Sequence, residues 1–145
     1  MYKIYFYRDK RGRQPVYDYL MRLASRKDKN SRIKLNKHND YMQALARFGL
    51  QLGEPYIKHI QDNIWELRPL RDRSLFAVWD NNSFVMLHCF MKKTQKTPKT
   101  EIAQALREWE DFKLRSEESE EYEPSCHKSL PNHEVESCGR RSASW

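Results

Sequence analysis

The densest chemistry in the chain is the run Lys92-Lys93-Thr94-Gln95-Lys96-Thr97-Pro98-Lys99. Four lysines and two hydroxyls fall between an apolar stretch and a segment that reads as the start of a helix. Unpaired N–H groups and the dipole at a helix start favour an anion, so the run has the makings of a phosphate site. A solvated lysine-rich loop is the plainer reading. A second group is Glu66-Leu67-Arg68, followed by Arg71, Asp72 and Arg73. On a strand, Glu66 and Arg68 share one face while Trp65 and Leu67 share the other. The arrangement suits a cross-strand ion-pair ladder or a guanidinium fork aimed at a phosphate. Both hold if Glu66 orients one arginine for the other's task. A third candidate is His59, whose ordinary pKa lies near neutrality, although a lone histidine beside a strand is more simply a surface residue.

Other chemistries are poorly served. His88 shares a strand face with Phe84, Met86 and Phe90 and reads as a packed core histidine. Cys89 falls on the other face with Val85, Leu87 and Met91, and no base partner for a thiolate nucleophile is evident. With four glycines in the whole chain there is no glycine-rich phosphate loop, and neither HExxH nor a carboxylate pair occurs. Cys126, His127, His133 and Cys138 are metal-binding types at irregular spacing, which does not suit zinc. The odd cysteine count of three argues against a disulfide scaffold and for a reducing cytosol.

The elements that must position these groups follow from periodicity. Residues 2–8 are aromatic and β-branched and read as a strand. Pro15 opens a helix with Val16, Tyr19, Leu20, Leu23 and Ala24 on one stripe. Asn30 or Ser31 is the expected cap of a second helix, with Ile33, Tyr41, Leu45 and Phe48 as its apolar stripe and Gly49 or Gly53 at its end. After Pro55 the period shortens. Residues 56–60, 64–70, 75–80 and 84–91 read as successive antiparallel strands separated by Asp62-Asn63, Arg71-Asp72 and Asn81-Asn82. Thr97 is the expected cap of a third helix, with Pro98 at its first position and Ile102, Ala105, Leu106, Trp109 and Phe112 as its buried stripe. The order β-α-α-β-β-β-β-α is an α+β fold, with one sheet face expected to be partly free and rimmed by Lys and Arg.

Charge divides the chain. The 145 residues carry 27 Lys and Arg against 20 Asp and Glu, a net charge of +7. Residues 1–113 hold 23 basic and 13 acidic residues, whereas residues 114–145 hold 4 basic and 7 acidic. The first is read as a compact basic domain suited to a polyanion. The second has few apolar residues and no periodicity, and is read as a disordered acidic tail. No stretch approaches the ~20 apolar residues of a membrane helix, and the N-terminal residues lack the apolar region of a signal peptide. A cytoplasmic protein is expected.

Ile64-Trp65-Glu66-Leu67-Arg68-Pro69, Arg73, and then Val85 through Pro98 with Glu101, resemble the phage-derived, HigB-like branch of the RelE/ParE toxin superfamily. The resemblance covers about residues 2–113. It implies a RelE-like α+β fold: a small antiparallel sheet with two N-terminal helices and one C-terminal helix. It implies a type II toxin that cleaves mRNA on the ribosome as a metal-independent endoribonuclease needing no cofactor. Its partner would be a helix-turn-helix antitoxin in a hetero-oligomeric complex. It implies catalytic roles for Arg68, Arg73 and Lys93 and basic positions at Lys58 and Lys92; with these, His59, Gln95, Lys96 and Lys99 are the expected RNA contacts. A ParE-like gyrase inhibitor and a nonenzymatic nucleic-acid-binding module are the competing expectations.

Overall fold

The computed structural model describes residues 1–80 and 82–118. Its elements are β1 (Lys3–Phe6), α1 (Pro15–Ser25), α2 (Lys29–Phe48), a 3₁₀ turn (Gly49–Leu52), β2 (Ile57–Gln61), β3 (Ile64–Leu67), β4 (Asp72–Asp80), β5 (Ser83–Met91) and α3 (Lys99–Glu118). This is the expected α+β order. None of these helices is long and apolar enough to cross a membrane. The metal-ligand types at positions 126–138 and residues 119–145 of the expected tail lie outside the described residues, whereas residues 114–118, expected to be disordered, continue α3.

The five strands form one sheet in the order β1-β5-β4-β3-β2. β2 through β5 are antiparallel neighbours, as the turn signals imply. β1 departs from the all-antiparallel expectation by pairing parallel to β5, with Lys3 opposite Ser83 and Phe6 opposite Met86. It reaches that edge because two helices intervene between it and the meander, which permits a crossover.

The helices cover both faces. On one, α1 and α2 bury Leu20, Leu35, Met42 and Leu45 against Ile4, Phe76, Phe84 and Met86. On the other, α3 lays Ala105, Trp109 and Phe112 over Ile64, Leu75, Val85 and Leu87. The expected free face is therefore reduced to the part of the second face beyond α3, toward β3 and β2. α3 is fastened at both ends. Near its start, His88 Nε2 hydrogen-bonds Glu101 Oε1 at 2.5 Å. Farther along, the Tyr7 hydroxyl donates to Asp111 Oδ2 at 2.6 Å, and Arg115 bridges Asp111 and the Arg8 carbonyl.

Several local expectations are corrected. The cap of α2 is Asp28, whose carboxylate accepts from the Ser31 N–H at 2.9 Å. Its buried stripe runs through Leu35, His38, Met42 and Leu45, while Ile33 and Phe48 are exposed. Polar His38 and Asn39 lie on the core face, so counting apolar residues alone misplaces the stripe. The β4–β5 register shifts after Leu75 opposite His88, the next pair being Phe76 with Met86. This bulge adds a residue to β5 and reverses the alternation beyond it. His88 consequently lies with Phe90 on the α3 face. Cys89 packs with the α1/α2 core, where burial pushes its thiol up to about 12. It is no candidate nucleophile.

Candidate functional site

The site lies where the second sheet face runs out from under α3. Strand alternation and register bring its parts together. Lys58 on β2 is opposite Glu66 on β3, and Glu66 is opposite Leu75 on β4. Arg73 is two residues before Leu75 and opposite Phe90 on β5. These positions share one face. The segment between β5 and α3 then crosses over them, tied at its start by the Lys92 N–H donating to the Arg71 carbonyl at 2.7 Å.

Glu66 lies at the centre. Its side chain is 3% exposed, and its Oε1 is 3.5 Å from Arg68 Nε and 3.9 Å from Arg73 Nε. Its Oε2 accepts a 2.5 Å hydrogen bond from the Thr97 hydroxyl. One buried carboxylate thus holds both arginines and the end of the lysine segment. Thr97 is not the helix cap its sequence position suggests. The first α3 N–H bonds go to the Pro98 carbonyl, from Glu101 and Ile102, and the Thr97 hydroxyl is free to turn to Glu66.

The two arginines are held differently. Arg73 Nη1 donates to the carbonyls of Leu70 and Asp72, each at 2.8 Å. Burial, and then the Arg68 guanidinium beside it, press its pKa below the ordinary range, while Glu66 and Asp72 oppose that shift. Arg68 Nε is buried and makes no hydrogen bond, so its 3.5 Å ion pair with Glu66 is what restrains it. Arg73 is a fixed cation and Arg68 an adjustable one. That pairing suits a group whose charge changes shape during reaction.

Seven of the nine residues expected at the site line one hollow: Lys58, Arg68, Arg73, Lys92, Lys93, Gln95 and Lys96. Two are elsewhere. His59 pairs with Trp65 on the opposite face, stacks edge-on against it at 4.9 Å, and has Nε2 at 2.8 Å from the Asp62 carbonyl. Lys99 is on the first turn of α3, outside the hollow's lining. The hollow also takes in Glu66, which the sequence sets beside Arg68, with Thr94, Thr97 and Pro98 of the lysine run, and Phe90, which the sequence does not single out for the site. Alternation alone places Glu66 on the correct face, but nothing in the sequence joins Thr97 to it. The hollow's own side chains fill it, leaving about 20 Å³, room for about one water. Beside it, sharing Arg73 and the loop from Lys92 to Gln95, opens a groove of about 480 Å³ that also takes in Leu70 and Arg71.

A sequence model of the family described as phage derived protein Gp49-like (DUF891) matches residues 28–110. The chain belongs to the phage-derived Gp49-like family. The match runs from the cap of α2 through most of α3 and contains every residue of the hollow. No curated protein matches the chain.

Proposed function

We propose that this Gp49-like chain is the toxin of a type II toxin–antitoxin pair, HigB-like within the RelE/ParE superfamily, and that it cleaves mRNA on the ribosome in the cytoplasm. One observation carries the reading. Two arginines and four lysines from β2, the end of β3, β4 and the β5–α3 segment surround one hollow, with the buried Glu66 carboxylate as the counter-charge of both arginines. A site built to hold so much positive charge in place is complementary to a phosphodiester.

The reaction is transesterification without metal or cofactor. The ribose 2′-oxygen bonds to the adjacent phosphorus, and the bond to the 5′-oxygen breaks. The products are a 2′,3′-cyclic phosphate and a free 5′-hydroxyl. Arg73 and Arg68 stabilise the charge that builds on the phosphorane, a term of about 3 kcal/mol for each well-aimed donor. A lysine among Lys58, Lys92 and Lys93 takes the 2′-hydroxyl proton, and a proton is returned to the departing oxygen. Lys93 is the first candidate for this task. The partner is a helix-turn-helix antitoxin that covers the basic hollow by charge complementarity.

Primer extension on a reporter message, after induction of the protein without an antitoxin, tests the reading. Discrete new 5′ ends are expected with the wild type. With Arg73→Ala, cleavage falls by about 10²–10³-fold while the circular dichroism spectrum is retained. An intact message with the wild type, together with loss of gyrase supercoiling, would replace the nuclease by a gyrase inhibitor. RNA binding without cut ends would leave a binding module.

A further inference from the structure

The Pro69–Asp72 turn has a residue its backbone does not favour. The Asp72 N–H donates to the Pro69 carbonyl at 3.0 Å, closing a four-residue turn with Leu70 at its first central position. Leu70 has φ +57°. Turns with left-handed backbone at this position ordinarily take glycine or asparagine there, and a bulky side chain is disfavoured. The conformation itself has an explanation, since it leaves the Leu70 carbonyl 2.8 Å from Arg73 Nη1. The choice of leucine has none in the fold. A glycine would supply the same carbonyl without strain, and the leucine gains little burial in return, being 47% exposed.

What the leucine borders is the roomy groove next to the hollow. The hollow is filled by its own side chains, whereas the groove's 480 Å³ is of a size that takes a small organic group. Its other walls are the cations Arg71, Arg73, Lys92 and Lys93 together with Thr94 and Gln95. An apolar contact among cations, continuous with a phosphate site, matches a nucleotide: a flat base on the apolar side and phosphates on the charged side.

We infer that the groove between the Pro69–Asp72 turn and the Lys92–Gln95 loop seats a nucleobase of single-stranded RNA next to the reacting linkage, with Leu70 as its apolar contact and Arg71 and Lys92 as cations for the flanking phosphate. The inference deepens the nuclease reading and rests on it for the neighbouring phosphate. Leu70 sets which bases are tolerated and how firmly they are held, and takes no part in bond breaking.

The test compares the full-length wild type with Leu70→Gly, which keeps the turn and the carbonyl to Arg73 but removes the side chain. Binding is measured by fluorescence anisotropy with a short single-stranded RNA, and with a ribose-phosphate strand of equal length that has no bases. The wild type is expected to prefer the base-bearing strand, and Leu70→Gly to lose about fivefold of that preference. Its melting temperature is expected to be unchanged or higher, because glycine relieves the left-handed position. Equal preference in the two proteins overturns the inference. So does a Leu70→Gly protein whose melting temperature falls, since the leucine would then be structural. Reporter cleavage separates the two ideas. A wild type that prefers bases yet cuts no message removes the nuclease reading and leaves the base contact standing. A wild type that cuts but shows no preference for bases does the reverse.

Discussion

Removing Glu66 should damage the site in a way that an added anion can mend. Its carboxylate is the shared partner of Arg68 and Arg73, and deleting one member of a buried charge group leaves the others uncompensated, at about 3–5 kcal/mol. Glu66→Gln keeps an acceptor for the Thr97 hydroxyl and loses only the charge. Its melting temperature is expected to fall, and sulfate should restore it more than it raises that of the wild type, because an anion binding between the arginines stabilises the folded state by mass action. Thermal scans with and without sulfate check this; equal sulfate responses in the two proteins would deny Glu66 the counter-charge role. The arginines and lysines were legible from residue type and spacing. The Thr97–Glu66 bond was not, because it joins positions 31 apart through a loop whose path no periodicity encodes. His59 shows the opposite failure, since its residue type promises chemistry while its register with Trp65 puts it behind the sheet.

Among the elements, the junction of α2 with the sheet is the place where backbone geometry is least replaceable. Gly49 ends α2 at φ +63°, and a Cβ there would sit 2.5 Å from the Tyr2 ring. Tyr2 in turn docks β1 onto α2 by donating its N–H to the Ala46 carbonyl at 2.7 Å. Gly49→Ala therefore meets both a left-handed backbone and a ring that must move. It should cost about 2 kcal/mol in urea unfolding, with unchanged RNA cleavage per folded molecule because the hollow is remote from this junction. A glycine at the end of α2 was readable from sequence; its contact with Tyr2, which precedes β1, was not. The same limit applies to the bulge in β5. The strand's composition announces a strand, but the extra residue that redirects His88 and Cys89 depends on pairing with β4.

For the whole molecule, two buried titrating groups pull stability in opposite directions with pH. Burial lowers the His38 pKa from 6.5 to about 4. Its stabilising effect is complete above pH 6.5 and is lost as pH falls toward 4, since the unfolded chain takes up the proton first. Burial raises Glu108 from 4.5 to about 7. Its stabilising effect is complete below pH 4.5 and is lost as pH rises through 7. Between these limits the two slopes cancel, and unfolding free energy should be nearly flat with pH. Glu108→Gln removes one slope, so that variant should gain on the wild type by up to about 3 kcal/mol between pH 4.5 and pH 8. Urea titrations at the two pH values decide it, and a parallel shift of both proteins would exclude Glu108. The surplus of positive charge acts over longer range. RNA affinity should fall with salt by a log–log slope of about −0.7 for each phosphate engaged, and Lys92→Ala should make that slope shallower by one such step.

The parallel pairing of the first strand with the last has a bearing on how the protein is born. Lys3 has its partner in Ser83, and Phe6 in Met86, so the first strand of the sheet must wait for the fifth to be synthesised before it can be seated. The lysines that complete the hollow follow β5 directly. Such long sequence separation slows folding, and here it also orders events: a nascent chain that already displays both arginines has no finished basic hollow. Under the function proposed above, the toxin is thereby harmless to the ribosome that is making it until synthesis of the basic domain is nearly done.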